Sequence, residues 1–190
     1  MLRVGGLTPL SASDYPERLA AVVFCQGCAW RCTYCHNAHL LASRGTEEIP
    51  WARVVQFLER RTTLLDAVVF SGGEPTLQRS LPQAMREVKE MGYLIGLHTA
   101  GIAPRMLERV LPLVDWVGMD LKSDFERHES ITRTPGSGER ARRSVELVRA
   151  SGVAHRFHIV EERQGVKVGQ DVLAPSSREQ TVRSETFMGG

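Results

Sequence analysis

Five short apolar runs punctuate the chain: Ala20–Phe24, Ala67–Phe70, Tyr93–His98, Trp116–Leu121 and Val153–Val160. Continuous apolar runs of this length read as strands buried on both faces, as in a parallel sheet. The first four end in polar or glycine-rich loops, "CQGC", "SGGEP", "TAG" and "KSD". Helical periods lie between them. In "PWARVVQFLERR", Trp51, Val54, Val55 and Leu58 fall at i, i+3, i+4 and i+7, with Pro50 suited to the first turn. In "LPQAMREVKEMG", Ala84, Met85, Val88 and Met91 repeat the pattern, and Gly92 closes it. "APRMLERVL" is a shorter helix, and "GERARRSVELVRASG" carries Ala141, Val145 and Val148 on one face. Alternating strands and helices predict an α/β fold with right-handed crossovers and a parallel sheet or barrel. Ligands then belong at the carboxyl ends of the strands, where the polar loops fall.

The pattern stops near Val160. Residues 161–190 are rich in Gly, Ser, Gln and charge and hold no sustained period, a composition that favours disorder. The expected division is an ordered unit over 1–160 and an atypical tail over 161–190. The other reading of the tail is a polar terminal strand and helix without a recognisable period.

Composition narrows the picture a little. The 190 residues carry a net charge of +2 and 42% apolar residues, which gives no reason to expect nucleic acid or an anionic membrane as partner. No apolar run approaches the ~20 residues of a membrane span. The N-terminal segment lacks a leader pattern, so the expected location is cytoplasmic.

Chemistry concentrates in "FCQGCAWRCTYCHN". All four cysteines fall within it as C-x2-C-x3-C-x2-C. A disulfide framework suits neither a reducing compartment nor so local a cluster. Zinc accepts four thiolates, but its knuckles are usually ~15–20 residues apart. Iron–sulfur clusters do take closely spaced cysteines from one loop. Without Cys25, the remaining Cys28, Cys32 and Cys35 read C-x3-C-x2-C, with Tyr34 before the last.

At these residues the chain resembles the radical S-adenosylmethionine enzymes. Three strand-end loops extend the resemblance: "SGGEP" (Ser71–Pro75), "HTAG" (His98–Gly101) and "GMDLK" (Gly118–Lys122). Within the family the chain most resembles the activating proteins of anaerobic ribonucleoside-triphosphate reductase, through "GGLTPLSASDYPERLAAVVFCQGCAWRCTYCHN", "SGGEPTLQ", "GLHTAG" and "WVGMDLK". The resemblance covers roughly residues 1–158, with Glu17 where many relatives carry Gly and Ala100 where they carry Asn.

The resemblance implies an incomplete (β/α) barrel of about five strands. It implies one [4Fe–4S] cluster on Cys28, Cys32 and Cys35, with the fourth iron open to S-adenosylmethionine. It places Tyr34, Gly72, Gly73, Glu74, His98, Thr99, Asp120 and Lys122 around that cofactor. Glu74 would offer a carboxylate to its ammonium, and the paired glycines would let backbone approach it. His98 is either a ligand contact or a polar strand-end residue. The implied reaction is reductive cleavage to a 5′-deoxyadenosyl radical, which generates a glycyl radical on the reductase; no side chain serves as acid or base. Activation of a pyruvate formate-lyase type of enzyme, or an inactive truncated relative, are the alternatives. An electron donor such as flavodoxin or ferredoxin is implied as a second partner. Cys25 is left over, either a small buried residue or a functional thiol.

Overall fold

A computed structural model of the chain describes residues 1–163 and 166–173. Strand β1 (Val4–Ser11) runs antiparallel to β2 (Ala20–Cys25). After β2 come a long loop, α1 (Trp51–Glu59), β3 (Ala67–Gly72), α2 (Leu81–Glu90), β4 (Leu94–Thr99), α3 (Pro104–Val110) and β5 (Trp116–Leu121). Then follow α4 (His128–Thr132), α5 (Ser137–Ser151), β6 (Ala154–Arg163) and β7 (Val166–Leu173). The strands form one seven-stranded sheet in sequence order, with β2 to β6 all parallel. Five parallel strands joined by helical crossovers, with no pairing between the outer strands among the described residues, make an incomplete (β/α) barrel.

The five expected strands are these five parallel ones, each within a few residues of its apolar run. Alternation along β2 shows why the runs are continuous. Ala21, Val23 and Cys25 join the main core with Trp51, Val54 and Leu58 of α1. Ala20 and Val22 pack on the other face with Ala67, Val69 and Tyr15, a cluster that contains no helix residue. That second cluster fills the concave side near the strand starts and leaves the strand ends open.

Two strands lie outside the expectation. β1 carries Gly5, Gly6 and Pro9, which interrupt any alternation. β7 falls in the polar stretch expected as tail. It pairs antiparallel with β6 from Arg163↔Val166 to Arg156↔Leu173, and β6 itself runs past residue 160 to Arg163. The rest of the expected tail, residues 164–165 and 174–190, lies outside the described residues. Among the described residues no helix is long and apolar enough to cross a membrane.

Candidate functional site

The chain leaves β2 at Cys25 and enters α1 only at Trp51, and the loop between is pinned on both sides. On the near side, Gly27 N–H donates to the Leu40 carbonyl (2.8 Å) and Cys28 N–H to that of Leu41 (3.2 Å). The Gln26 amide reaches the Ala42 carbonyl at 2.8 Å. On the far side, Arg31 N–H donates to the Thr132 carbonyl (3.0 Å) and Thr33 N–H to that of Ile131 (3.1 Å), so α4 and its C-terminal turn act as a clamp. Buried Trp30 meets His128 of α4 edge-on at 4.9 Å. The Tyr34 hydroxyl donates to the Lys122 carbonyl at 2.6 Å, tying the loop to the end of β5.

The loop so held closes one side of a cavity of about 660 Å³. Cys28, Cys32, Cys35 and Tyr34 line it, opposite Gly72 and Gly73 of β3 and its loop, His98 and Thr99 of β4, Asp120 of β5 and Lys122 just beyond it. The paired glycines of SGGEP pack closely against the start of the cysteine loop. A Cβ at Gly72, whose φ is +114°, would lie 2.4 Å from Cys25 N, and one at Gly73 would lie 2.5 Å from the Gly27 carbonyl. The paired glycines are therefore required by close approach to the start of the cysteine loop, apart from any ligand.

Glu74 does not line the cavity. Its side chain is fully buried. Oε1 accepts from Thr76 N–H (3.0 Å), the Thr76 hydroxyl and the Thr99 hydroxyl (2.7 Å), while Oε2 accepts from Ala100 N–H (3.0 Å). The expected open carboxylate is instead engaged by four protein donors. Cys25 is likewise out of the cavity, fully buried in the core below the loop.

Burial pushes the Cys28 thiol up to about 11, and it also raises Cys32. Burial is also the main cause of a raised Glu74, opposed by its hydrogen bonds. At Asp120 burial pushes up, but the neighbouring Lys122 ammonium (3.0 Å), with His158 and His98, holds the carboxyl below its usual range. His98 Nε2 lies 2.9 Å from the Asp14 carbonyl, a pure acceptor, so this nitrogen carries the proton.

The Radical SAM superfamily pattern matches residues 22–160, most of the chain. The chain belongs to the radical SAM superfamily. Enzymes of this superfamily use a [4Fe–4S] cluster and S-adenosylmethionine. A Methanocaldococcus jannaschii protein that carries the name of a glycyl-radical enzyme activating enzyme is 33% identical over 147 residues, 75% of this chain and 59% of its own length. The pyruvate formate-lyase-activating enzyme of Clostridium pasteurianum is 33% identical over 146 residues, 74% of this chain and 60% of its own. The chain thus spans about three-fifths of the length of these curated relatives. Among solved structures, anSMEcpe with bound AdoMet aligns with TM-score 0.55 at 19% identity, over 70% of this chain and 41% of that one, which supports the fold alone.

The radical SAM loop of this chain suits a cluster by its donors. All four cysteines are free thiols. Among the described residues no three His, Cys, Asp or Glu side chains converge as a cage for a single metal ion. A cubane gives each thiolate its own iron, which asks for less convergence, and its positive irons stabilise thiolates that burial alone disfavours. The cavity of this radical SAM chain also contains residues that the sequence did not single out: Trp30, Trp116, Arg156 and His158. Arg156 and His158 sit at alternate positions of β6, beside Gly118 and Asp120 of β5 in register. Period-2 inward positions are the one signal that picks them out, and it needs the sheet orientation first.

Proposed function

We propose that Cys28, Cys32 and Cys35 hold one [4Fe–4S] cluster and that the chain cleaves S-adenosylmethionine reductively to place a glycyl radical on a partner, anaerobic ribonucleoside-triphosphate reductase. The observation that carries this reading is the meeting of three cysteines from one loop and the ends of β3, β4 and β5 around a single cavity. Cys28, Cys32 and Cys35 would hold the cluster, which would supply the one electron needed for reductive cleavage of the cofactor and so for hydrogen-atom abstraction from a partner glycine.

The chain's own residues bind, orient and exclude water. Gly72 and Gly73 present backbone at the cavity wall. Asp120, kept anionic beside Lys122, accepts from hydroxyl or amino groups of the cofactor. Lys122 faces the cysteine loop and offers charge to a carboxylate. Thr99, His98 and Tyr34 complete the wall, with His98 fixed by Asp14 and by an edge contact to Trp116 at 5.4 Å. No proton transfer is asked of any side chain.

The reductase as partner rests on the opening motif with Asp14-Tyr15-Pro16 and on the strand-end loops. A pyruvate formate-lyase type of partner is the second reading, favoured by the Clostridium pasteurianum relative and by a 30% identical activating enzyme from Escherichia coli. The test is anaerobic reconstitution, then electron paramagnetic resonance of each candidate partner after incubation with S-adenosylmethionine and reductant. A glycyl radical on the reductase and none on the lyase is expected. A radical on the lyase alone assigns the second partner, and a radical on neither refutes the activase reading.

A further inference from the structure

The Glu74 carboxylate has four donors and no exposed surface, so it has no face left for a molecule in the cavity. Its donors come from two places. Thr76 N–H and hydroxyl lie in its own loop, and the Thr99 hydroxyl and Ala100 N–H lie at the end of β4. Thr99 Oγ1 also accepts from Gly101 N–H at 3.0 Å, which fixes the turn that follows. The Glu74 backbone adds a third anchor. Its N–H donates to the Gly27 carbonyl at 2.9 Å, next to Cys28, and Gly73 N–H donates to the Cys25 carbonyl at 2.9 Å. One residue therefore joins the ends of β2, β3 and β4.

We infer that Glu74 is a positioning residue: its buried carboxylate braces the end of β4 against the β3 loop, and so sets the Gly72–Gly73 backbone and the Thr99–Ala100 wall without itself touching the cofactor. This rests on the proposed cofactor site. A buried hydrogen bond to a charged group is a strong one, and a misplaced wall weakens every contact made across it. Thr76 separates bracing from direct contact, because it is buried and absent from the cavity lining, yet donates twice to Glu74.

The experiment measures two quantities. In the cluster-free chain, amide exchange at Ala100 reports the brace itself. In the reconstituted chain, equilibrium binding reports affinity for S-adenosylmethionine. Thr76→Val should speed exchange at Ala100 and weaken binding by about tenfold, the worth of one charge-assisted hydrogen bond. Thr76→Ser, which keeps the hydroxyl, should restore both. Val148→Ala, in α5 away from the brace, should lower thermal stability and leave affinity unchanged. Wild-type affinity in Thr76→Val alongside weakened binding in Glu74→Gln would overturn the inference in favour of direct contact. So would unchanged Ala100 exchange in both variants. A wild-type chain that takes up iron yet binds no S-adenosylmethionine, while Ala100 still responds to Thr76→Val, refutes the proposed function and leaves the brace standing.

Discussion

Cys25 and Cys28 are three positions apart and lie in opposite surroundings. Cys25 ends β2 inside the core, where burial drives its thiol far up, while Cys28 opens the loop at the cavity. Replacing Cys28, Cys32 or Cys35 by Ala should abolish iron and sulfide uptake. Cys25→Ala should keep it, with a stability loss of about 1 kcal/mol from the vacated volume. Iron and acid-labile sulfide per chain check this, and loss of iron in Cys25→Ala would undo the ligand assignment. Gly73→Ala meets the Gly27 carbonyl, a backbone atom that has no rotamer to yield. It should cost about 1–3 kcal/mol and impair iron uptake as well, since Gly27 precedes Cys28. Denaturant unfolding and iron analysis measure the two effects. At this scale the cysteine spacing and the SGGEP and D-x-K segments were legible because each is a local pattern. The burial of Glu74 was not, because Thr99 and Ala100 are brought to it only by the pairing of β3 with β4.

The five parallel strands were legible from continuous apolar runs, because burial on both faces leaves no polar interruption. β1 and β7 lie at the two edges of the sheet, and glycine, proline or charge breaks the period of their sequences. The pairing of β7 with β6 predicts slow amide exchange at alternate positions across Val166–Leu173. Exchange there at the rate of an open chain would contradict the hairpin. The other element invisible in the sequence is α4, one turn long, whose value lies in clamping the cysteine loop. His128 is fully buried in it, with Nδ1 3.1 Å from the Ser137 hydroxyl. Burial chiefly, with the Lys122 charge, lowers His128 to about 4 from 6.5. The unfolded chain therefore takes up this proton first as pH falls. The stability that neutral His128 contributes is complete above about pH 6.5 and is lost between there and about pH 4, up to about 3 kcal/mol. His128→Asn should flatten that dependence in denaturation of the cluster-free chain. An equally steep acid limb in the variant would place the sensitivity elsewhere.

At the scale of the whole molecule, the described residues form a sheet that curls without closing. Its helices cover one face, Tyr15 with Ala and Val residues of β2 and β3 packs on the other near the strand starts, and the strand ends carry the cavity. The cysteine loop, the β3 loop and the ends of β4 and β5 are fixed to one another by the Tyr34–Lys122 bond, the Glu74 brace and the α4 clamp, so the site is a property of the sheet as a unit. The fold class followed from the alternation of strand and helix, and the chemistry from the one loop that holds every cysteine. The proposed choice of partner rests on the opening motif and the strand-end loops, local patterns that say nothing of the surface on which two proteins would meet. The measurement that tests the central claim most directly is the formation of 5′-deoxyadenosine by the anaerobically reconstituted chain with S-adenosylmethionine and a strong reductant. The account predicts 5′-deoxyadenosine and methionine in equal amounts from the wild-type chain and none from Cys28→Ala. A wild-type chain replete in iron and sulfide that forms neither product would contradict it.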